Sequence, residues 1–130
     1  MTPTRTDNTT LPYGATPQAA RLATLATRAG TITEAQLQGT VEQMATLLGW
    51  RWYHTRDSRR SVKGFPDLVM IHPGQGRILW VELKSERGRL SREQRAWIND
   101  LDATGAEVHV WRPADLVSGR VLAVLQNRAS

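Results

Sequence analysis

The sequence predicts an α/β fold, a small mixed β-sheet flanked by helices, on three observations. Segments with helical apolar spacing and segments of dense β-branched residues follow one another as helix, three strands, helix, strand. Two apolar runs, Leu68–Ile71 and Ile78–Leu83, flank Pro73-Gly74-Gln75-Gly76, which is a hairpin signal. The chain has 130 residues, 40% of them hydrophobic and 22% charged, which fits one ordinary globular domain and not a disordered chain.

In order along the chain, residues 1–15 are rich in Thr and Pro and nearly free of aliphatic side chains, so they are expected to be a disordered arm ahead of a single domain over 16–130. After Thr16-Pro17, Leu22, Leu25 and Ala26 suggest a short helix ending at Gly30, with an apolar face too thin to stand without a neighbour. A clearer helix follows over 34–48. Thr33 and Gln36 form a capping box, Ile32 and Leu37 a hydrophobic staple, Leu37, Val41, Met44 and Leu48 recur at helical spacing, and Gly49 stops the run. Trp50 to Arg56 alternates like a strand. Arg56-Asp57-Ser58-Arg59-Arg60-Ser61-Val62-Lys63 has no apolar period and reads as a basic loop. Beyond the hairpin, Ser91 and Gln94 form a second capping box for a helix carrying Ala96, Trp97, Ile98 and Leu101, stopped at Gly105. Val108–Trp111 is a further strand, Pro113 opens a short helical turn, and Val121–Leu125 is an apolar segment of either type.

Composition narrows the function classes. No apolar run approaches the roughly 18–20 residues of a membrane span, and the N-terminus has no apolar signal core. The chain contains no cysteine, which removes disulfides, thiolate metal sites and thiol nucleophiles and makes the cytoplasm the default expectation. His54, His72 and His109 lack metal-ligand spacing, and no Gly-rich phosphate loop supports a nucleotide cofactor. The formal net charge is +5 and the pI is near 10.7. Fifteen of the 17 basic residues are Arg, and residues 50–95 hold 11 basic against 5 acidic groups, so the whole excess lies in mid-chain. Arg binds phosphate bidentately, and this distribution suits a polyanion such as nucleic acid, although a basic stretch is also simply a solvated face.

With Gly74 and Gln75 as the turn residues, Asp67 stands directly opposite Glu82 on one face of the sheet, and Lys84, two residues on, shares that face. Opposed carboxylates repel unless something lies between them. Two such groups, a backbone carbonyl such as that of Leu83, and waters suit octahedral Mg²⁺ or Mn²⁺. Lys84 would orient or deprotonate an attacking water or neutralise charge on a phosphate. The alternative is a solvated pair of edge carboxylates with Lys84 as salt-bridge partner. Leu-Val-Met-Ile after Asp67 and Ile-Leu-Trp-Val before Glu82 argue for strands buried on both faces, where an acid needs a partner or a ligand.

Gly64-Phe65-Pro66-Asp67-Leu68 followed by Val81-Glu82-Leu83-Lys84 resembles the PD-(D/E)xK nuclease superfamily. Gly88-Arg89-Leu90-Ser91-Arg92-Glu93-Gln94, with Trp97, Gly105 and Arg112-Pro113-Ala114-Asp115, narrows the resemblance to a stand-alone VRR-NUC (virus-type replication-repair nuclease) domain over about residues 32–117. The resemblance implies a restriction-endonuclease-like core and divalent-metal-dependent cleavage of DNA. Small members of this kind, often phage-encoded and then acting in the host cytoplasm, are similar to homodimeric Holliday-junction resolvases. On matching positions it implies Asp67 and Glu82 as Mg²⁺ or Mn²⁺ ligands, with the Leu83 carbonyl, and Lys84 as catalytic lysine. Gln94 becomes a contact to water or phosphate, besides its capping role. The family's first-helix glutamate maps best to Glu34, a possible further metal ligand, with Glu42 as rival on the same helical stripe. Arg56, Arg59, Arg60, Lys63, Arg87, Arg89, Ser91 and Arg92 would hold DNA phosphates, and Gly64 and Gly88 would allow close backbone approach. The expected function is a metal-dependent DNA endonuclease, structure-specific on branched or four-way-junction DNA and acting as a homodimer. The alternatives are a nuclease without junction preference and a structure-specific DNA-binding module that does not cut.

Overall fold

The computed structural model describes residues 29–55 and 62–128. The expected N-terminal arm, the expected helix after Pro17 and the basic loop from Arg56 to Ser61 lie outside the described residues. Helix α1 (Glu34–Leu47) opens with the capping box read from the sequence: Gln36 N donates to Thr33 Oγ1 at 3.1 Å, and Thr33 N donates to Gln36 Oε1 at 2.9 Å. It ends one residue earlier than expected, with Leu48 as cap and Gly49 in the left-handed region at φ 89°.

Four strands follow, β1 (Arg51–His54), β2 (Leu68–His72), β3 (Arg77–Leu83) and β4 (Glu107–Trp111), in the spatial order β1-β2-β3-β4. The first three are antiparallel, and β4 runs parallel to β3. A parallel neighbour requires a crossover, and helix α2 (Arg92–Ala103) supplies it. The β2–β3 register pairs Leu68 with Val81 and His72 with Arg77, as the sequence predicts. The turn itself is a correction. It is a 3₁₀ turn over Pro73–Gln75 closed by Gly76 at φ 65°, because Pro73 fixes the first φ and His72 Nδ1 accepts from Gln75 N at 3.0 Å. Lengthening the loop by one residue on each side leaves the register unchanged.

One face of the sheet holds the core. Leu68, Met70, Leu79, Val81, Leu83 and Trp111 are fully buried there, against Leu37, Val41 and Ala45 of α1. Two short helices complete it, α3 (Pro113–Val117) and α4 (Arg120–Leu125), so the ambiguous segment after Val121 is helical and gives Val121, Val124 and Leu125 to the interior. Each such aliphatic burial contributes about 1.5–3 kcal/mol. The last carbonyls of α4 take side-chain donors from elsewhere in the chain, Val124 O in addition to the backbone bond it accepts from Asn127 N. Trp50 Nε1 and Gln75 Nε2 donate to Leu125 O at 3.1 and 3.0 Å, and Arg77 Nη1 donates to Val124 O at 2.9 Å. Arg77 also grips Glu107 with two nitrogens, at 3.1 and 2.6 Å, so one side chain ties the end of α4 to the far edge strand.

The second face is only half covered. Phe65 stands edge-on between Trp80 of β3 and Trp97 of α2, with ring centroids 6.1 and 5.1 Å away. Beyond that, no described element covers Tyr53, Ile71 and Ile78, which are 66%, 37% and 52% exposed. The expectation that both hairpin strands are buried on both faces is therefore wrong, because α2 is the single described helix on this side and packs over β4.

Candidate active site

The hairpin register carries Asp67, just ahead of β2, to the position across from Glu82 in β3. Asp67 is fixed from three sides. Leu83 N donates to its Oδ2 at 2.8 Å, Thr55 N donates to its carbonyl at 3.0 Å, and His54 Nδ1 lies 3.4 Å from that carbonyl. Glu82 is 2% exposed, the one charged residue among the buried side chains described, and its Oε2 accepts from Gln94 Nε2 at 2.8 Å. A solvated edge pair is ruled out by that burial.

Each carboxyl lies within electrostatic reach of the other. Burial pushes Glu82 up to about 8, the negative charge of Asp67 pushes in the same direction, and Lys84 opposes both. Asp67 is also raised, by burial, against the opposing hydrogen bond from Leu83 and the charge of Lys84. Both acids therefore hold a proton more tightly than a free carboxyl does, as two acids in one poorly hydrated site must. Lys84 sits within electrostatic reach of Asp67, Glu82 and Glu34 together.

Glu34, in the first turn of α1, is raised by partial burial and then by the charge of Asp67, with Lys84 opposing. Glu42 faces elsewhere. It accepts from Gln38 Nε2 at 2.9 Å and lines a hollow of about 360 Å³ with Trp52, Tyr53 and His54. The helix carboxylate that senses the pair is Glu34. It is not gathered with the pair into a cage, since no group of three His, Asp or Glu side chains placed to hold a metal occurs among the described residues.

Gln94 fills the expected capping role and makes a second contact, to Glu82, that the sequence reading does not name. Its Oε1 accepts from Ser91 N at 2.8 Å to complete the cap of α2, while its Nε2 reaches Glu82. The loop before Asp67 is locked to the same turn of α2. Gly64 has φ 87°, and a Cβ there would lie 2.5 Å from the backbone carbon of Glu93, so only glycine fits this close approach. Lys63, Arg87, Arg89 and Arg92 are exposed around this end of the molecule, and the Ser91 hydroxyl caps α2. Arg56, Arg59 and Arg60 lie outside the described residues. Sequence reasoning missed His54, beside Asp67, and Arg112, whose guanidinium reaches three backbone carbonyls of the loop after Lys84. The position of Arg112 just before Pro113 at a helix start was the available signal.

The VRR-NUC domain family model matches residues 29–115, spanning both capping boxes, the carboxyl pair, Lys84 and Arg112. A solved VRR_NUC domain superposes with a TM-score of 0.57 at 27% identity, covering 68% of this chain and 94% of that domain. Two relatives are similar over shorter stretches. The Fanconi-associated nuclease 1 homolog of Schizosaccharomyces pombe is 36% identical over 56 residues, 43% of this chain and 8% of that protein. Fanconi-associated nuclease 1 of Danio rerio is 36% identical over 55 residues, 42% of this chain and 6% of that protein. The matched stretch is thus less than a tenth of either relative. The mixed sheet, its helices and the family match agree over two thirds of the sequence, and on that ground the chain belongs to the VRR-NUC nuclease domain family.

Proposed function

We propose that this protein is a divalent-metal-dependent DNA endonuclease whose centre is Asp67, Glu82 and Lys84. The observation that carries the reading is the buried Glu82 opposite the half-buried Asp67, with Lys84 within electrostatic reach of both and exposed basic residues on the chain segments that flank them. Two oxygen-donor acids with the neighbouring Leu83 carbonyl fit Mg²⁺ or Mn²⁺, which takes one or two protein carboxylates and completes its shell with water and phosphate. Such an ion, when bound, supplies charge stabilisation at the phosphate and a more acidic water.

The protein's own groups then have separable roles. Leu83 N–H holds one oxygen of Asp67 and Gln94 holds one oxygen of Glu82, so both acids are oriented before any ligand arrives. Lys84 places positive charge where a scissile phosphate would develop negative charge. Glu34 faces the same space from α1 as a further, more distant acid. Lys63, Arg87, Arg89 and Arg92, with Arg56, Arg59 and Arg60 of the basic loop, bind phosphates without reading base sequence. One chain carries one such centre. Symmetric cutting of a branched or four-way junction would need two chains, and a two-fold homodimer is the simplest arrangement.

The test is cleavage of labelled four-way junction, flap, single-stranded and linear duplex DNA in Mg²⁺, Mn²⁺ or EDTA, with Asp67→Asn and Lys84→Ala alongside. Metal-dependent cutting abolished in Asp67→Asn and reduced to a small residual rate in Lys84→Ala, with DNA binding by Asp67→Asn near wild type, is the expected result. Paired cuts confined to the junction support the homodimeric reading, and equal cutting of all duplexes replaces it with a nuclease of no junction preference. Cleavage by Asp67→Asn at the wild-type rate would sink the metal-site reading. Tight junction binding without cleavage in any metal would leave a binding module.

A further inference from the structure

Between β3 and α2 the chain runs from Lys84 to Leu90 without regular structure, so the carbonyls of its turn need partners other than a ladder or a helix. Arg112 meets that need for one turn. Its Nη1 donates to Ser85 O at 2.8 Å and to Gly88 O at 2.6 Å, and lies 3.4 Å from Glu86 O. The turn is closed on itself by Gly88 N donating to Ser85 O at 3.2 Å. From the other side, Ala114 N donates to the Glu86 carboxylate at 3.0 Å. The residue just before the turn is Lys84, whose own N–H donates to Trp111 O at 3.0 Å, next to Arg112 in the chain.

The turn also touches the lysine stem. A Cβ at Gly88 would stand 2.7 Å from Ser85 Oγ and 3.5 Å from Lys84 Cδ, so Gly88 packs over both. A planar guanidinium holds its donors at fixed angles and cannot lose its charge, which suits it to grip converging carbonyls. Its placement is itself fixed, because Arg112 N donates to Asp115 Oδ2 at 2.8 Å in the first turn of α3.

We infer that Arg112 is a positioning residue for Lys84: its guanidinium holds the Ser85–Gly88 turn closed against the lysine stem and so fixes where the ammonium stands beside Asp67 and Glu82. The inference rests on the reading of Lys84 as the catalytic lysine. Arg112 itself touches neither carboxylate and acts through the turn.

The experiment is a double-mutant cycle on the full chain, reading the cleavage rate at saturating DNA and, separately, DNA affinity. Arg112→Ala is expected to slow cleavage by about 10–100-fold, the scale of an ångström-sized misplacement, with DNA affinity changed by less than about 3-fold. In a Lys84→Ala background the same substitution adds no further loss, because its target is already gone. Arg112→Lys, which keeps a donor for Ser85 O and Gly88 O, recovers part of the rate. Losses that multiply in the double variant overturn the inference while leaving Lys84 catalytic, as does an effect confined to affinity. Wild-type cleavage by Lys84→Ala alone removes the premise and the inference together. Circular dichroism establishes that each variant is folded. Should Arg112→Ala not fold, Gly88→Ala disturbs the same turn from inside, and the same additivity criterion against Lys84→Ala decides.

Discussion

Replacing Glu82 by Gln separates the energetic cost of a buried carboxyl pair from its use. In the cation-free protein Glu82 is raised from its ordinary 4.5 to about 8, by burial first and by Asp67 second. A raised native value means that the folded state binds the proton more tightly than the unfolded chain. Between these two values folding takes up a proton, and stability falls as pH rises. The contribution is complete below the unfolded value and lost once pH passes the folded one. A full pH step in that interval is worth about 1.4 kcal/mol, so the change from pH 5 to pH 8 is on the order of a few kcal/mol. That is a large share of the 5–15 kcal/mol typical of a domain. Asp67 is shifted in the same direction, whereas Glu107 is not a confounder. Burial alone would raise Glu107, but hydrogen bonds from Arg77 and His109 outweigh it and hold it low, so its contribution is lost only as pH falls below the ordinary carboxylate range. The Gln side chain keeps an oxygen for Gln94 and an N–H for Asp67, but it does not titrate. Urea unfolding of wild type and Glu82→Gln at pH 5 and pH 8 in EDTA measures the difference directly. The stability of wild type relative to the variant should drop by roughly a few kcal/mol over that interval. Millimolar Mn²⁺ at pH 8 should restore wild type alone, by about 2.7 kcal/mol at 100 times the dissociation constant. A difference between the two proteins that stays constant from pH 5 to pH 8 would refute the reasoning.

Three further outcomes follow from the geometry. Gly64→Ala puts a methyl group 2.5 Å from the Glu93 backbone at a φ of 87°, so thermal or urea unfolding should show a loss of at least about 2 kcal/mol, with cleavage impaired even where the protein is folded. Gly39→Ala, at an exposed helix-interior position with nothing within 4 Å of the added Cβ, should raise stability by about 1 kcal/mol in the same assay. Gln94→Glu retains an acceptor for Ser91 N–H but faces Glu82 with a second negative charge. The Mn²⁺ concentration for half-maximal cleavage should therefore change by about 10-fold or more, whereas an unchanged metal titration would reduce Gln94 to a helix cap.

Local signals made most of the fold legible. Both capping boxes were readable because each needs only a Ser or Thr and a Gln three residues apart, and both form as read. The register of the hairpin was readable even though its turn was not. A symmetric change of loop length moves no pairing, and the apolar alternation of Leu68, Met70, Leu79 and Val81 tolerates no single-residue slip. The misjudged exposure of Ile71 and Ile78 has a different origin. A run of β-branched residues states a strand's preference for burial, but whether a second layer arrives is decided by the reach of α2, which depends on where the crossover lands. Glu34 and Glu42 sit on one helical stripe and differ only in which end of α1 meets the sheet, a long-range fact. Arg112 was legible as a residue and illegible as a clamp, since its partners are carbonyls that exist as a cluster only after the loop has closed.

The site also shows why burial of two acids is tolerable in a small domain. Asp67 and Glu82 each have one oxygen committed to a fixed donor, Leu83 N–H and the Gln94 amide, and both hold a proton more tightly than a free carboxyl. Taking up a proton is the cheaper course, because two uncompensated charges there would cost far more. On the proposed metal-site reading a divalent cation and a proton compete for the same pair of groups, so cation binding would expel the proton and apparent affinity should rise with pH through the range in which Glu82 ionises, about 8. The capping glutamine, the register of a hairpin and a glycine pressed against a helix turn are ordinary structural devices taken singly. Here they converge on two carboxyls, and what they jointly set is how tightly that pair holds a proton against any cation that would replace it.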